Sequence, residues 1–338
     1  MKIVETDKLG DLAAALAAKG YRVVAPVRDG DVVRLKQWKR GDEIALDAFT
    51  VNSVKDVLIP ASEVIGRYAL DGDDFTPEAV AAEAPKTVVL AARPCDAAAL
   101  AVLDAVFNWD YADAFYNARR AATTIAALAC RQADEQCFCT SVGGAPDSTA
   151  GADAILRPAD GGKRLTVEAL SEKGEALVAA AGETIKEGEA VADAVAEVPV
   201  RFDAAALTAR LAENFESPLW QTLSLACLGC GACAYACPTC HCFDIQDEGT
   251  RRESVRLRNW DSCGFGLFTQ HAGGHNPRPD QAARWRQRVM HKFLYFVERF
   301  GRLACSGCGR CARLCPAGMA MADSCAAIEA AAQKAAKR

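Results

Sequence analysis

The sequence predicts an α+β chain: an N-terminal α/β domain over residues 1–216, then a helical, cysteine-rich domain over 217–338. Three observations carry this. A strand–helix–strand pattern occupies 87–130, two matching cysteine runs open at Cys227 and Cys305, and the apolar residues around the second run recur with helical period. Composition permits it, since 338 residues suffice for about two domains with proper cores. At 51% hydrophobic and 25% charged the chain has an ordinary globular balance. No apolar window reaches the roughly 18 residues that span a bilayer, and Glu5, Asp7 and Asp11 stand where an export signal would be basic and then apolar. The expectation is a cytoplasmic protein without a membrane span.

Taken in order, residues 7–18 carry Leu and Ala at helical spacing and end before Gly20, a common helix stop. YRVVAPVRDGDVVRLKQW then reads as two strands around the turn Asp29-Gly30. Residues 42–86 are weakly patterned, with short strand-like pieces and a loop DGDD at 71–74. TVVLAA (87–92) reads as a buried strand, Arg93-Pro94-Cys95-Asp96 as a turn, and AAALAVLDAVF as a helix with Asp96 in its first turn. A helix near 111–121 and the strand TIAALAC ending at Cys130 complete a unit whose functional turns share one sheet edge. LRPADGGKRLTVEA suggests a hairpin, 169–216 is expected to be mostly helical, and everything after the first cysteine run is expected to be helical. Within that part Trp285, Val289, Phe293 and Phe296 share one face, and the tail ADSCAAIEAAAQKAAKR reads as a solvated helix with Cys325 incidental.

The cysteines carry the chemistry. Cys227-x2-Cys230-x2-Cys233-x3-Cys237-Pro238 returns as Cys305-x2-Cys308-x2-Cys311-x3-Cys315-Pro316. This is iron–sulfur spacing, with three thiolates on one loop and a fourth displaced. In two-cluster ferredoxins the fourth Cys of each run serves the other cluster. The expected sets are therefore Cys227, Cys230, Cys233 and Cys315 on one [4Fe–4S] cluster, and Cys305, Cys308, Cys311 and Cys237 on the other. Gly229, Gly231, Gly307 and Gly309 suit a loop that must wrap a cubane. Zinc uses well-separated C-x2-C pairs and has no use for this run. Sixteen Cys would suggest disulfides only in a short exported chain. Thiolate ligands must stay reduced until metal arrives, which agrees with a reducing, low-oxygen cytoplasm. Residues 238–304 lie between the runs, so a helical ferredoxin domain with a long insert fits better than a compact one.

Cys95 sits in the strand-to-helix turn, and Cys130, Cys137 and Cys139 in a strand-to-loop exit. If the two strands are neighbours the four thiols converge, and four is what a third cubane needs; small buried hydrophobes are the plainer alternative. Cys240, Cys242 and Cys263 cannot complete a four-Cys site, so they read as open-site ligands, a redox-active thiol group or packing residues. His271 and His275, in AGGHNPRP, read as ligands, sulfur hydrogen-bonders or loop histidines held by backbone. From Arg251 to Arg302 there are eleven Lys/Arg against four Asp/Glu, although the whole chain carries −5. Positive charge near anionic clusters favours their reduction, a docking or solvated face is the alternative, and nothing beyond charge suggests nucleic acid. Neither G-x-G-x-x-G nor G-x4-G-K-[ST] occurs, so NAD(P) or flavin would sit on another polypeptide.

These residues together give the chain a resemblance. ARPCD with LDAVF (92–107), CFCTS (137–141), CPTCHCFDIQD (237–247), NWDSC (259–263), AGGHNPRP (272–279) and SGCGRCARLCP (306–316) resemble, in order, two related groups. One is the iron–sulfur beta subunit of cytoplasmic NiFe sulfhydrogenases, the other the iron–sulfur subunit of anaerobic siroheme sulfite reductase; 145–215 and the tail are uncovered. The resemblance implies a non-catalytic intermediary that passes single electrons between a flavoprotein subunit that binds NAD(P)H and a catalytic redox subunit of hydrogenase, sulfite reductase or heterodisulfide reductase type. It also implies an N-terminal α/β domain followed by an α-helical ferredoxin domain. An enzyme reducing a sulfur or disulfide substrate at Cys240, Cys242 and Cys263 is the alternative reading.

Overall fold

The computed structural model describes every residue except 72–73, 83, 251 and 337–338. The first half runs β1 (Lys2–Glu5), α1 (Leu9–Ala18), β2 (Arg22–Asp29), β3 (Val32–Gln37), α2 (Lys55–Leu58), β4 (Ser62–Asp71), β5 (Asp74–Ala79), β6 (Thr87–Ala92), α3 (Pro94–Phe107), α4 (Ala114–Ala122) and β7 (Thr123–Leu128). It continues through β8 (Ala154–Ala159), β9 (Arg164–Ala169), α5 (Glu172–Ala181), β10 (Lys186–Glu187) and α6 (Ala204–Leu211). Then come α7 (Leu219–Ser224), α8 (Ala232–Tyr235), β11 (Phe243–Gly249), β12 (Glu253–Trp260), α9 (Gln281–Met290), α10 (Phe296–Phe300), α11 (Arg310–Arg313) and α12 (Met321–Ala336).

Eight strands form one sheet in the order β10-β1-β9-β8-β7-β6-β2-β3. Its centre, β2, β6, β7 and β8, is parallel, and every residue of β6 and β7 is buried. Continuous apolar runs make such strands because both faces must be covered. One face packs Leu12 and Leu16 of α1 and Leu177 of α5; the other packs Leu100, Leu103 and Phe107 of α3 with Tyr116 of α4. Each such side chain contributes about 1.5–3 kcal/mol. The two turns expected to share an edge do so, since β6 and β7 are hydrogen-bonded neighbours.

The second sheet, β11-β12-β4-β5, takes strands from both sides of residue 216. Here the chain departs from the helical content expected after the first cysteine run. β12 pairs with β4 from Glu253–Ala69 to Asn259–Ser62, so this hairpin completes a sheet begun far upstream. Arg258 fixes the register: it is buried, its Nε donates to Glu63 at 2.7 Å, and Nη1 donates to Asp113, the N-cap of α4. The segment 169–216 also holds less helix than expected, with mostly irregular chain between α5 and α6.

A third core joins α6, α7, α9 and α12 around Trp220, Trp285, Val289, Phe293 and Ile328. The first half of α12 is not solvated as expected. Met321, Cys325 and Ile328 follow helical spacing and are fully buried, a stripe masked in sequence by alanine. Between α9 and α10 the helix widens into one π-helical turn, His291–Tyr295, a distortion frequent at functional sites.

Candidate metal centres

The two cysteine runs fold as copies of one loop–helix unit. Gly229 and Gly231 have φ 67° and 74°, and Gly307 and Gly309 have φ 67° and 73°, so both loops pass through the left-handed region twice before entering α8 and α11. A side chain there would also collide. A Cβ on Gly231 would lie 2.5 Å from the Phe265 ring, and one on Gly307 would lie 2.5 Å from the Cys139 backbone.

Cys227, Cys230, Cys233 and Cys315 line one cavity, with Cys263 as a fifth cysteine on its wall. Gln281 Nε2 donates to Cys227 Sγ at 3.0 Å. The second set meets at Cys237, which is buried. Thr239 Oγ1 lies 3.1 Å from its sulfur and Lys292 Nζ donates to it at 3.4 Å. Hydrogen bonding from Cys240 together with Lys292 and Arg288 holds Cys237 well below the usual thiol range. Burial pushes Cys305 up to about 12 and Cys311 up to about 11, and the charge on Cys237 adds to both shifts. Cys308 is raised for the same two reasons. Thiols so placed ionise when a cation replaces the proton, which is the behaviour of metal ligands.

Cys95, Cys130, Cys137 and Cys139 also line one cavity, and Cys308 of the second run reaches its wall. Several local features bring them together. Between Leu90 and Ala92 the register of β6 shifts, and Ala91 sits in the left-handed region at φ 57°, a conformation costing roughly 1 kcal/mol outside glycine. That bulge re-aims Arg93-Pro94, and Pro94 opens α3 with Cys95 in its first turn. Cys130 leaves the adjacent strand and is held by its N–H to Pro146 O at 2.9 Å. Arg313 spans the junction, with Nη2 donating to Cys137 Sγ at 3.1 Å and Nη1 to Cys308 O at 2.7 Å. Burial raises all four thiols, Cys139 up to about 11. Among the described residues no three His, Cys, Asp or Glu are gathered tightly enough for a single metal ion. The first set and the N-terminal four are arranged around wider cavities.

Sequence reasoning gave the basic stretch from Arg251 to Arg302 but not which of its cations are buried against sulfur. Arg288 and Lys292 are 4% exposed, and neither has a carboxylate partner among the described residues. Arg288 Nη2 donates to Cys233 O at 2.7 Å, Nη1 reaches Cys240 Sγ at 3.5 Å, and its Nε has no partner. Lys292 donates to Thr239 Oγ1 and Ala304 O, each at 2.9 Å. Lys55, also buried, lies 3.5 Å above the Trp260 ring and donates to Ala234 O. Burying charge without a counter-charge is costly, so the anionic thiolates and what they bind are the partners this group requires. The available signal was spacing: Arg288 and Lys292 fall three and seven residues after Trp285, on its apolar face.

Cys242 and Cys263 lie against each other, and their interaction lowers Cys263 to about 6 and raises Cys242. Cys325 packs in the helical core. His271 and His275 are exposed, their rings 5.3 Å apart, on a loop closed by His271 N donating to His275 O.

Residues 226–319 match the family model described as a 4Fe-4S dicluster domain, which places the C-terminal part in the class of two-cluster iron–sulfur proteins. Over 320 residues, 88% of this chain and 89% of the relative, the sequence is 30% identical to "Sulfhydrogenase 2 subunit beta" of Pyrococcus furiosus. The chain belongs to the family of sulfhydrogenase iron–sulfur beta subunits. No solved structure matches it. No described helix is long and apolar enough to cross a membrane.

Proposed function

We propose that the chain is the electron-relay subunit of a multi-subunit oxidoreductase, carrying three [4Fe–4S] clusters between a flavoprotein subunit that binds NAD(P)H and a catalytic subunit. The ligand sets are Cys95, Cys130, Cys137 and Cys139; Cys305, Cys308, Cys311 and Cys237; and Cys227, Cys230, Cys233 and Cys315. The relative's printed name, a subunit of a sulfhydrogenase, supports a hydrogenase-type catalytic partner. The observation that carries the reading is the contact between sets. Cys308 lines the cavity of the N-terminal four, Phe138 N donates to Gly307 O at 3.0 Å, and Cys237 and Cys315 cross between the two C-terminal loops. Short hops need this continuity.

A cubane, when bound, takes up and releases one electron. The residues of this chain do the rest. The loops cover the thiols apart from the exposed Cys230, and Gln281, Arg313 and Lys292 place donors on Cys227, Cys137 and Cys237. Arg288 and Lys292 set positive charge beside sulfur, which favours the reduced form. The discriminating experiment compares the anaerobic complex with the isolated chain. NAD(P)H added to the complex should generate the paramagnetic resonance of reduced clusters on this chain, and the isolated chain reduced by dithionite should not turn over polysulfide or sulfite. Turnover by the isolated chain would contradict the relay and support a substrate site at Cys240, Cys242 and Cys263.

A further inference from the structure

The first cavity reaches the surface through an apolar mouth. Of the cysteines, all of them among the described residues, only Cys230 is exposed. Leu225 is 88% exposed, Leu228 71% and Leu267 78%. Single exposed leucines are ordinary, but these share one place. Leu228 lines the cavity beside Cys230, and Leu225 lies three residues earlier, just past the end of α7. Leu267 lies on the loop whose Phe265 packs on Gly231 and whose Gly264 packs on Gly229. That loop is fixed, with Asn276 Nδ2 donating to Gly266 O at 2.6 Å and Thr269 Oγ1 to Asn276 Oδ1 at 2.9 Å.

The rim is cationic. Arg284 lines the cavity, donates to the carbonyls of Arg278 and Pro279, and like Arg278 makes no ion pair among the described residues. Asp280, next to the lining residue Gln281, is engaged in capping α9, accepting from Ala283 N at 2.8 Å.

From this we infer that the surface of Leu225, Leu228 and Leu267 around Cys230 is the docking face for one redox partner subunit, which presents an apolar centre, an acidic rim and its own cofactor close beneath its surface. The inference rests on the relay reading for its purpose. An exposed ligand thiol marks where an electron can cross between proteins, one leaving the donor for each one taken up by the acceptor. Apolar side chains around that point exclude water and supply contact area, while Arg278 and Arg284 select the partner by charge and steer its approach.

The test is hydrogen exchange on the full chain, alone and in the assembled complex. Residues 225–231 and 262–276 should exchange at least tenfold more slowly in the complex. Leu228→Glu with Leu267→Glu should weaken assembly at least tenfold with iron content unchanged, and raised salt should weaken wild-type assembly. Val191→Glu, at a position 75% exposed in the other half, should leave assembly as it was. Equal exchange in both states, or assembly of the double variant at wild-type strength, would overturn the docking face. So would protection that appears in the chain alone as its concentration rises, which would assign the face to a second copy. Iron content of the wild-type complex judges the relay separately: its absence would sink that reading while the exchange comparison still decides the surface.

Discussion

Arg310 and Asp96 clasp each other across the junction of the two halves, Nη1 to Oδ1 at 2.8 Å and Nη2 to Oδ2 at 2.7 Å. Both are buried, and Arg310 also donates to Thr50 O and Oγ1 at 2.9 and 2.7 Å. Asp96 follows Cys95, and Arg310 lies between Cys308 and Cys311. This ion pair, with the Arg313 contacts, sets the spacing of the N-terminal thiols from the second run. Removing one partner of a buried pair costs about 3–5 kcal/mol. Asp96→Asn should lower the unfolding free energy by about that much, read by denaturant titration under anaerobic conditions, and Arg310→Met with Asp96→Leu should recover part of it. A loss under about 1 kcal/mol for Asp96→Asn would mean the pair is solvated, as surface pairs are.

Lys292 reports on the electrostatics of the second set. Lys292→Met keeps the length of the side chain and removes a buried positive charge from Cys237. The direct readout is a redox titration followed by paramagnetic resonance. The potential of that centre should fall by about 60 mV or more, which for one electron is a tenfold change in equilibrium. An unchanged potential would make Lys292 a packing residue.

Two cysteines outside the C-terminal runs should behave oppositely. Cys95→Ala should remove about four irons, one cubane. Cys325→Ala, buried in the helical core, should keep all iron and cost roughly 1 kcal/mol of stability for the small cavity. Iron content unchanged in Cys95→Ala would return Cys95 to packing.

His291 gives the chain an acid-side liability. Burial lowers its pKa to about 3, with His241 and Lys292 adding to the shift. The unfolded chain binds a proton there near pH 6.5 and the folded chain does not, so stability is complete above that pH and falls as pH drops toward 3. His291→Phe should flatten the slope of stability between about pH 6 and about pH 4, measured against wild type at matched metal content. Parallel slopes would show that His291 is protonated in the fold.

Legibility in the sequence followed burial. β6 and β7 read correctly because strands buried on both faces are continuous apolar runs, and the Arg93-Pro94 break between strand and helix is local. The same adjacency made the convergence of Cys95, Cys130, Cys137 and Cys139 foreseeable. β11 did not read, because its alternation is only Phe243 and Ile245 and all seven of its residues are exposed. What holds the hairpin in place is pairing with β4 and the ion pair of Arg258 with Glu63, both far apart in sequence. Arg288 and Lys292 read only as members of a basic stretch, although their spacing from Trp285 puts them on its buried face, because the thiols they meet come from distant segments. The stripe Met321, Cys325 and Ile328 was hidden by the alanines around it.

Iron and acid-labile sulfide per chain, measured on protein purified without oxygen, test the central claim most directly. Three filled sets of four thiols require about twelve of each. About eight would remove the N-terminal centre and leave the two of the C-terminal part. A colourless chain holding zinc, with no paramagnetic resonance after dithionite, would contradict the relay altogether.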